Sequence, residues 1–544
     1  FIKMYTSQIQ GLSTFNVLGL STEMISSITN SQLSAIQTID LKNFDTNQIQ
    51  AFSTNVINAM TTKQIVGLST NQIKAITTDQ IKSLITKQIN AIETRDVRDG
   101  LSTNQIFALN GSQIRSFSTK HINSFNAMQI SAITTENLVV MDASQIKGLS
   151  TLGMTGLTTE MISSITNLQM PSIQTINLKI LTTNQIEALS TNNIRSFTTK
   201  QIKSFSTNQI QSITTNHISL LERFQISSIE TKDIKEGLTT AQISAFITSQ
   251  ITALSTKQIN ILDSSQVSSI KTENLNLMDI SQIRGLSTLG APGLTTEMVS
   301  VLRSSQIQGI QTNDLKNFTT NQIKSLTTSS IQNFSTRQIV ALTTNQFRAF
   351  LTDQIKSFNP FQVSFLQTRD INLGLTTNQI IGLSTIQIRN LTTRQINSLN
   401  SIQMSSIETN DLAQFSKDQI KTLRTDNVIG LNTEMIAVLN SEQISAIKTV
   451  ELRFLSTNQI SAIKTDSISG LLTKQIISLS SNQITSLLTE HIKALDIFQI
   501  VAIKTRDIRF GLTTNQISSI SNQQLKSLTT KQILSLDSIQ VSAI

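Results

Sequence analysis

The residues with which this chain could do chemistry are few and scattered. Its 544 residues hold three histidines, 43 Lys and Arg, 34 Asp and Glu, and no cysteine. A metal or catalytic histidine needs other ligands, or an orienting carboxylate, converging on it. No such spacing recurs around His121, His217 or His491, and each stands where its neighbours carry a glutamine. The histidines are therefore read as substitutes for that glutamine. Without cysteine there is neither a disulfide nor a thiolate metal site. Phosphate loops, dinucleotide fingerprints, calcium loops and nucleophile elbows are absent from the sequence. No cofactor is expected, and enzyme is the class with least support.

One kind of charged cluster does recur. Arg95-Asp96 with Arg98-Asp99, and Lys232-Asp233 with Lys235-Glu236, are matched by Arg369-Asp370 and Arg506-Asp507. The plain reading is a local surface ion pair, which contributes little. The functional reading is a docking patch for lateral assembly, repeated along the chain.

What would position these clusters is an octapeptide. Residues 69–76 read STNQIKAI, 77–84 read TTDQIKSL and 102–109 read STNQIFAL. The template [ST]-T-x-Q-[IVL]-x-[ASG]-[LIF] runs from end to end. Ser or Thr followed three residues later by Gln is the capping-box pattern, so Ser69 caps a helix and Gln72 is its partner. Acidic residues at position three, such as Asp79 and Glu136, and cations at position six, such as Lys74 and Arg115, complement the helix dipole. Pro360 follows Asn359 at the first helical position, where proline is tolerated.

Positions five and eight, Ile73 and Ile76 in this octad, lie on one side of a single turn and are assigned to the core. A continuous helix is excluded, because at about 100° per residue the apolar pair would precess by about 80° each octad. The expected fold is an all-α solenoid of very short capped helices, one per octapeptide, stable only through stacking. A β-solenoid is the rival, since Thr, Ile, Val and Phe favour strands. Against it, apolar spacings of three and five put the two positions on opposite faces of a strand. Pro171 and Pro292, both at position six, argue against full helices in those two octads.

A longer period overlies the octad. The nonads ETRDVRDGL, ETKDIKEGL, QTRDINLGL and KTRDIRFGL carry an extra glycine at Gly100, Gly237, Gly374 and Gly511, at a constant 137-residue interval. Gly19, Gly156, Gly293 and Gly430, each just before a leucine, keep the same interval. Sixteen octads and one nonad make the 137-residue block, so the continuous solenoid divides into blocks of about 1–137, 138–274, 275–411 and 412–544. Such an exact length predicts a register constraint: one superhelical turn or one filament repeat. The glycines are expected to be corners, ending helices with a positive φ.

Composition bounds the partners. A net charge of +9 is dilute over this length and no run of cations stands out, so no nucleic-acid partner is expected. No apolar run approaches the ~20 residues of a membrane span. The chain starts and stops inside the repeat and is expected to be a window on a longer protein. The TTxQIxAL octads resemble repeat regions of very large bacterial surface or secreted, adhesin-like proteins. That resemblance implies an extracellular or cell-surface location. The expected function is structural: self-association into an extracellular bacterial filament or sheath. A stalk of a giant adhesin and an intracellular scaffold are the alternatives.

Overall fold

A computed structural model describes residues 3–544. They divide between Leu277 and Met278 into two compact units, built on the same plan. The described residues form 65 short α-helices and two 3-10 turns in tandem, with no strand, so the fold is an α-solenoid and the β alternative is discarded.

The octad folds as its caps dictate. Helix Thr70–Ala75 is preceded by Ser69 in extended conformation, whose hydroxyl accepts from the Gln72 N–H. Gln72 Oε1 in turn accepts from the Ser69 N–H at 2.9 Å. Ile73 and Ile76 are buried, at 0% and 2% exposure. Where position one is apolar, half the box survives: Gln88 Oε1 accepts from the Ile85 N–H at 2.8 Å. Pro360 opens helix Pro360–Ser364 behind its Asn359 cap. Pro171 and Pro292 fall in the 3-10 turns Met170–Ser172 and Ala291–Gly293, because proline at position six removes a helical N–H.

The corner between helices consists of two extended residues, such as Ile76 (φ −55°, ψ 126°) and Thr77 (φ −73°, ψ 165°). Any L-residue adopts these angles. The expectation of left-handed glycine corners is therefore wrong: no described residue has a positive φ. Gly237, Gly374 and Gly511 lie within helices Thr231–Gly237, Thr368–Gly374 and Thr505–Gly511. Gly100 follows Thr94–Asp99 in the right-handed helical region. Gly19 and Gly430 also have right-handed helical angles, and Gly293 ends a 3-10 turn.

In each unit the chain winds into coils. Each helix packs against the third one along, as Thr46–Ala51 does against Thr70–Ala75. The glutamine at position four ties coil to coil. Gln72 Nε2 donates to the Leu41 and Phe44 carbonyls, both at 2.8 Å, which stand 31 and 28 residues earlier. The second of these separations is three and a half octads, so helices of successive coils are staggered. The same pair of bonds recurs along both units, for example from Gln145 to Ile114 and Phe117 and from Gln338 to Ile307 and Ile310.

Candidate functional site

The nonad is the local departure from this ladder. Its extra residue is absorbed inside the helix. In an ordinary octad the Ile76 N–H bonds the Ile73 carbonyl three residues back; in the nonad the Leu101 N–H reaches five back, to Asp96, at 3.1 Å. Leu238, Leu375 and Leu512 do the same to Asp233, Asp370 and Asp507. Beyond the nonad the ladder keeps its partners: Gln105 donates to Ile73 and Ile76, each one residue more distant than in the ordinary octad. Close approach of the preceding coil favours glycine. A Cβ on Gly100 would lie 3.1 Å from the Thr70 carbonyl, and one on Gly511 3.1 Å from the Ser481 carbonyl. Gly237 and Gly374 sit equally tightly over Thr207 and Thr344.

The nonad aspartates face inward. Asp96, Asp233, Asp370 and Asp507 are all buried. Three of them accept at 2.7 Å from a hydroxyl of the preceding coil: Asp233 from Thr207, Asp370 from Thr344 and Asp507 from Ser481. Asp96 accepts likewise from Thr70. They fill the glutamine's place and join the coils by accepting where glutamine donates. The cations stay outside: Arg95 pairs with Asp96 at 3.1 Å and Arg369 with Asp370 at 3.2 Å, with arginine side chains 60% and 58% exposed. Lys504 approaches Asp507 at 3.9 Å. The sequence-level docking patch thus separates into buried joints, Asp96 and its equivalents, and exposed cations: Arg95, Lys232, Arg369 and Arg506.

The histidines replace glutamine as expected in two of three cases. The Nδ1 atoms of His121 and His491 accept from the Ser118 and Leu488 N–H groups, each at 3.2 Å. His217 Nδ1 is buried without a partner. Burial holds all three imidazoles below their usual pKa. Burial also raises the Asp314 carboxyl, whose Oδ2 is unpartnered, to about 6. No group of three metal-ligating side chains comes together among the described residues.

The coils assemble a surface that the linear sequence disperses. An open groove of about 940 Å³ runs past Arg98, Lys120, Asn123 and Lys147 to Gln174. A second, of about 670 Å³, is lined by Lys200, Lys203 and Lys232 with Glu230. Of these, Lys120, Lys147, Lys200 and Lys232 belong to a line with about one member per coil. In the first unit it passes through Lys63, Arg95, Lys120, Lys147, Lys200, Lys232 and Lys257, all exposed. In the second a like line passes through Arg284, Arg337, Arg369, Arg394, Lys421, Lys448, Lys474, Arg506 and Lys531, again all exposed.

The helices bearing Arg95, Lys120 and Lys147 pack on one another in succession, as do those bearing Arg369, Arg394 and Lys421. Gln174 bridges a place without a cation, donating to the Lys147 carbonyl at 2.7 Å; Gln311 does the same to Arg284. Five such steps, by way of Arg95, Lys120, Lys147 and Gln174, carry Lys63 to Lys200, one 137-residue block. The block therefore spans five coils. The spacing lies far outside any local motif, which is why no run of cations stands out in the sequence.

A family model of the ALTTAQ repeat matches five stretches of the chain, residues 33–70, 57–86, 178–215, 226–276 and 307–344. No curated protein matches it. Among solved structures it is similar to the leucine-rich repeat-containing protein LegL7 from Legionella pneumophila, at 13% identity over 49% of this chain and 78% of that one. The TM-score of 0.11 is too low to carry more than the likeness itself. No helix is long and apolar enough to cross a membrane among the described residues. With octad, coil and family match in accord, this chain is an all-helical repeat protein with a solenoid fold.

Proposed function

We propose that the protein is structural, and that copies of it associate into an extracellular bacterial filament or sheath. The observation that supports this reading is the surface periodicity. Charges recur at the 137-residue interval, five coils long, on a scaffold whose coils are tied together by a glutamine hydrogen-bond pattern that recurs along each unit. A repeated surface on a regular scaffold gives every block the same contacts with a neighbour, which is the requirement for a homopolymer. The adhesin-like resemblance of the octads supports the extracellular setting.

Electron microscopy of the purified protein at low ionic strength tests this. Filaments or sheets from the repeat alone are expected. Single molecules at every concentration would exclude the homopolymer and favour the stalk of a larger protein.

A further inference from the structure

The cationic line has a counterpart. Asp79, Glu136, Glu160 and Glu187 are exposed in the first unit, and Glu297, Asp353, Glu408, Glu434 and Glu490 in the second. Each lies near the midpoint of one step of the cationic line; Asp79, for example, falls halfway between Lys63 and Arg95. The steps range from 25 to 32 residues and average about 27, close to the 27–28 residues that separate bonded coils, so half a step is about half a coil. The acids therefore form a second line on the face opposite the cations in each unit. Helices Thr135–Val139 and Thr159–Ser164, which carry Glu136 and Glu160, pack on one another, and so do Thr159–Ser164 and Thr183–Glu187. Lys271, Lys324 and Lys464 interrupt the acidic line, and Lys82, Lys356 and Lys493 share helices with Asp79, Asp353 and Glu490, the last as an ion pair at 2.9 Å. Glu136, Glu160, Glu187, Glu297 and Glu434 have no cation on their own helices.

Both lines keep the same period. Glu23, Glu160, Glu297 and Glu434 recur at the 137-residue interval, as do Lys120, Lys257, Arg394 and Lys531. A linear polyanion would use the cations alone and leave the acids without a role. A second copy of this chain, set alongside in axial register, places acids against cations along each unit. We infer that copies of this chain pack side by side, the cationic line of one against the acidic line of the next. This contact is heterologous and leaves one free line of each sign at the margins, so it propagates into a sheet or closes into a tube. The inference rests on the homopolymer reading and names its interface.

The test is sedimentation velocity of the purified chain at about 0.1 and 1 M NaCl, where the screening length falls from ~10 to ~3 Å. Large species are expected at low salt and monomer at high salt. Two charge-reversed variants follow, with circular dichroism as a check on folding. One carries Lys120→Glu, Lys147→Glu, Lys200→Glu and Lys257→Glu. The other carries Asp79→Lys, Glu136→Lys, Glu160→Lys and Glu187→Lys. Each alone should need at least tenfold more protein for half-maximal association. Mixed in equal amounts they should co-assemble, since one is then acidic and the other basic on both faces over the altered coils.

Association that survives 1 M NaCl and both reversals would overturn this interface while leaving the homopolymer standing. A monomer under all conditions would remove both. A monomeric wild type that retains duplex DNA, with retention lost on Lys→Glu reversal, would assign the cations to a polyanion and overturn the inference.

Discussion

One amide does two jobs in this protein, and its two ends separate what is local from what is not. Gln72 Oε1 completes the cap of its own helix, while Nε2 holds two carbonyls of the preceding coil. Ser69→Ala removes a capping hydroxyl and should cost about 1 kcal/mol. Gln72→Leu removes four hydrogen bonds in a buried setting and should cost about 2–4 kcal/mol. In a repeat array the damage stays near the site, so hydrogen exchange over residues 41–76 is the measurement to make, rather than a global melt. Equal protection in the two variants would show that the coil-to-coil bonds contribute little.

Asp314 occupies the same position with a group that, once ionised, cannot donate. Its folded pKa of about 6 lies above the unfolded value of about 3.9, so the unfolded chain gives up the proton first as pH rises. Its contribution is therefore lost between about pH 4 and pH 6 and stays lost above that. Asn177, one block earlier, donates to the Leu149 carbonyl at 2.7 Å. Asp314→Asn should acquire the same bond and gain on the order of 1 kcal/mol at pH 7, with no gain at pH 4. Urea titrations at the two pH values give the comparison. The buried histidines act oppositely: their lowered pKa means that acidification below about 6.5 protonates the unfolded chain first and destabilises the fold.

At the scale of the helix, glycine is selected by neighbours rather than by backbone angles. A Cβ on Gly156 would fall 2.0 Å from the Ala127 carbonyl oxygen, whereas one on Gly19 meets nothing nearer than 3.5 Å. Gly156→Ala should therefore cost about 3 kcal/mol through displaced backbone. Gly19→Ala should be neutral or stabilising by about 0.5 kcal/mol, because it reduces the freedom of the unfolded chain. Thermal melts read by circular dichroism distinguish them; similar losses in both would return the glycines to a conformational role. Helix boundaries, caps and core positions were legible in STNQIKAI because a cap and its partner are three residues apart and positions five and eight share one turn. The glycine corners were misread because a close approach to a residue of the preceding coil leaves no mark within one octad.

At the scale of the whole chain, the octad secures the fold and the 137-residue block secures the surface. Removing one octad, residues 126–133, leaves every downstream glutamine with carbonyls of the correct type, yet shifts the charges by one octad, nearly a third of a coil. Removing the block 138–274 shifts nothing. Both deletions should fold with native helicity, and only the single-octad deletion should lose low-salt association. Circular dichroism with sedimentation velocity tests this, and equal assembly by both would detach the block length from assembly.

The chain's local chemistry determined the short capped helix, the buried positions, the exclusion of a continuous helix and the length of the block. These follow from capping and periodicity, which act within one octad or by simple repetition. Tertiary structure alone decided how many octads make a coil, which carbonyls each glutamine meets, why the nonad favours glycine, and that scattered lysines and arginines form a line in each unit. Those depend on the angle at each extended corner and on the packing of one coil upon another. That geometry joins residues a full coil apart, and no single octad contains it.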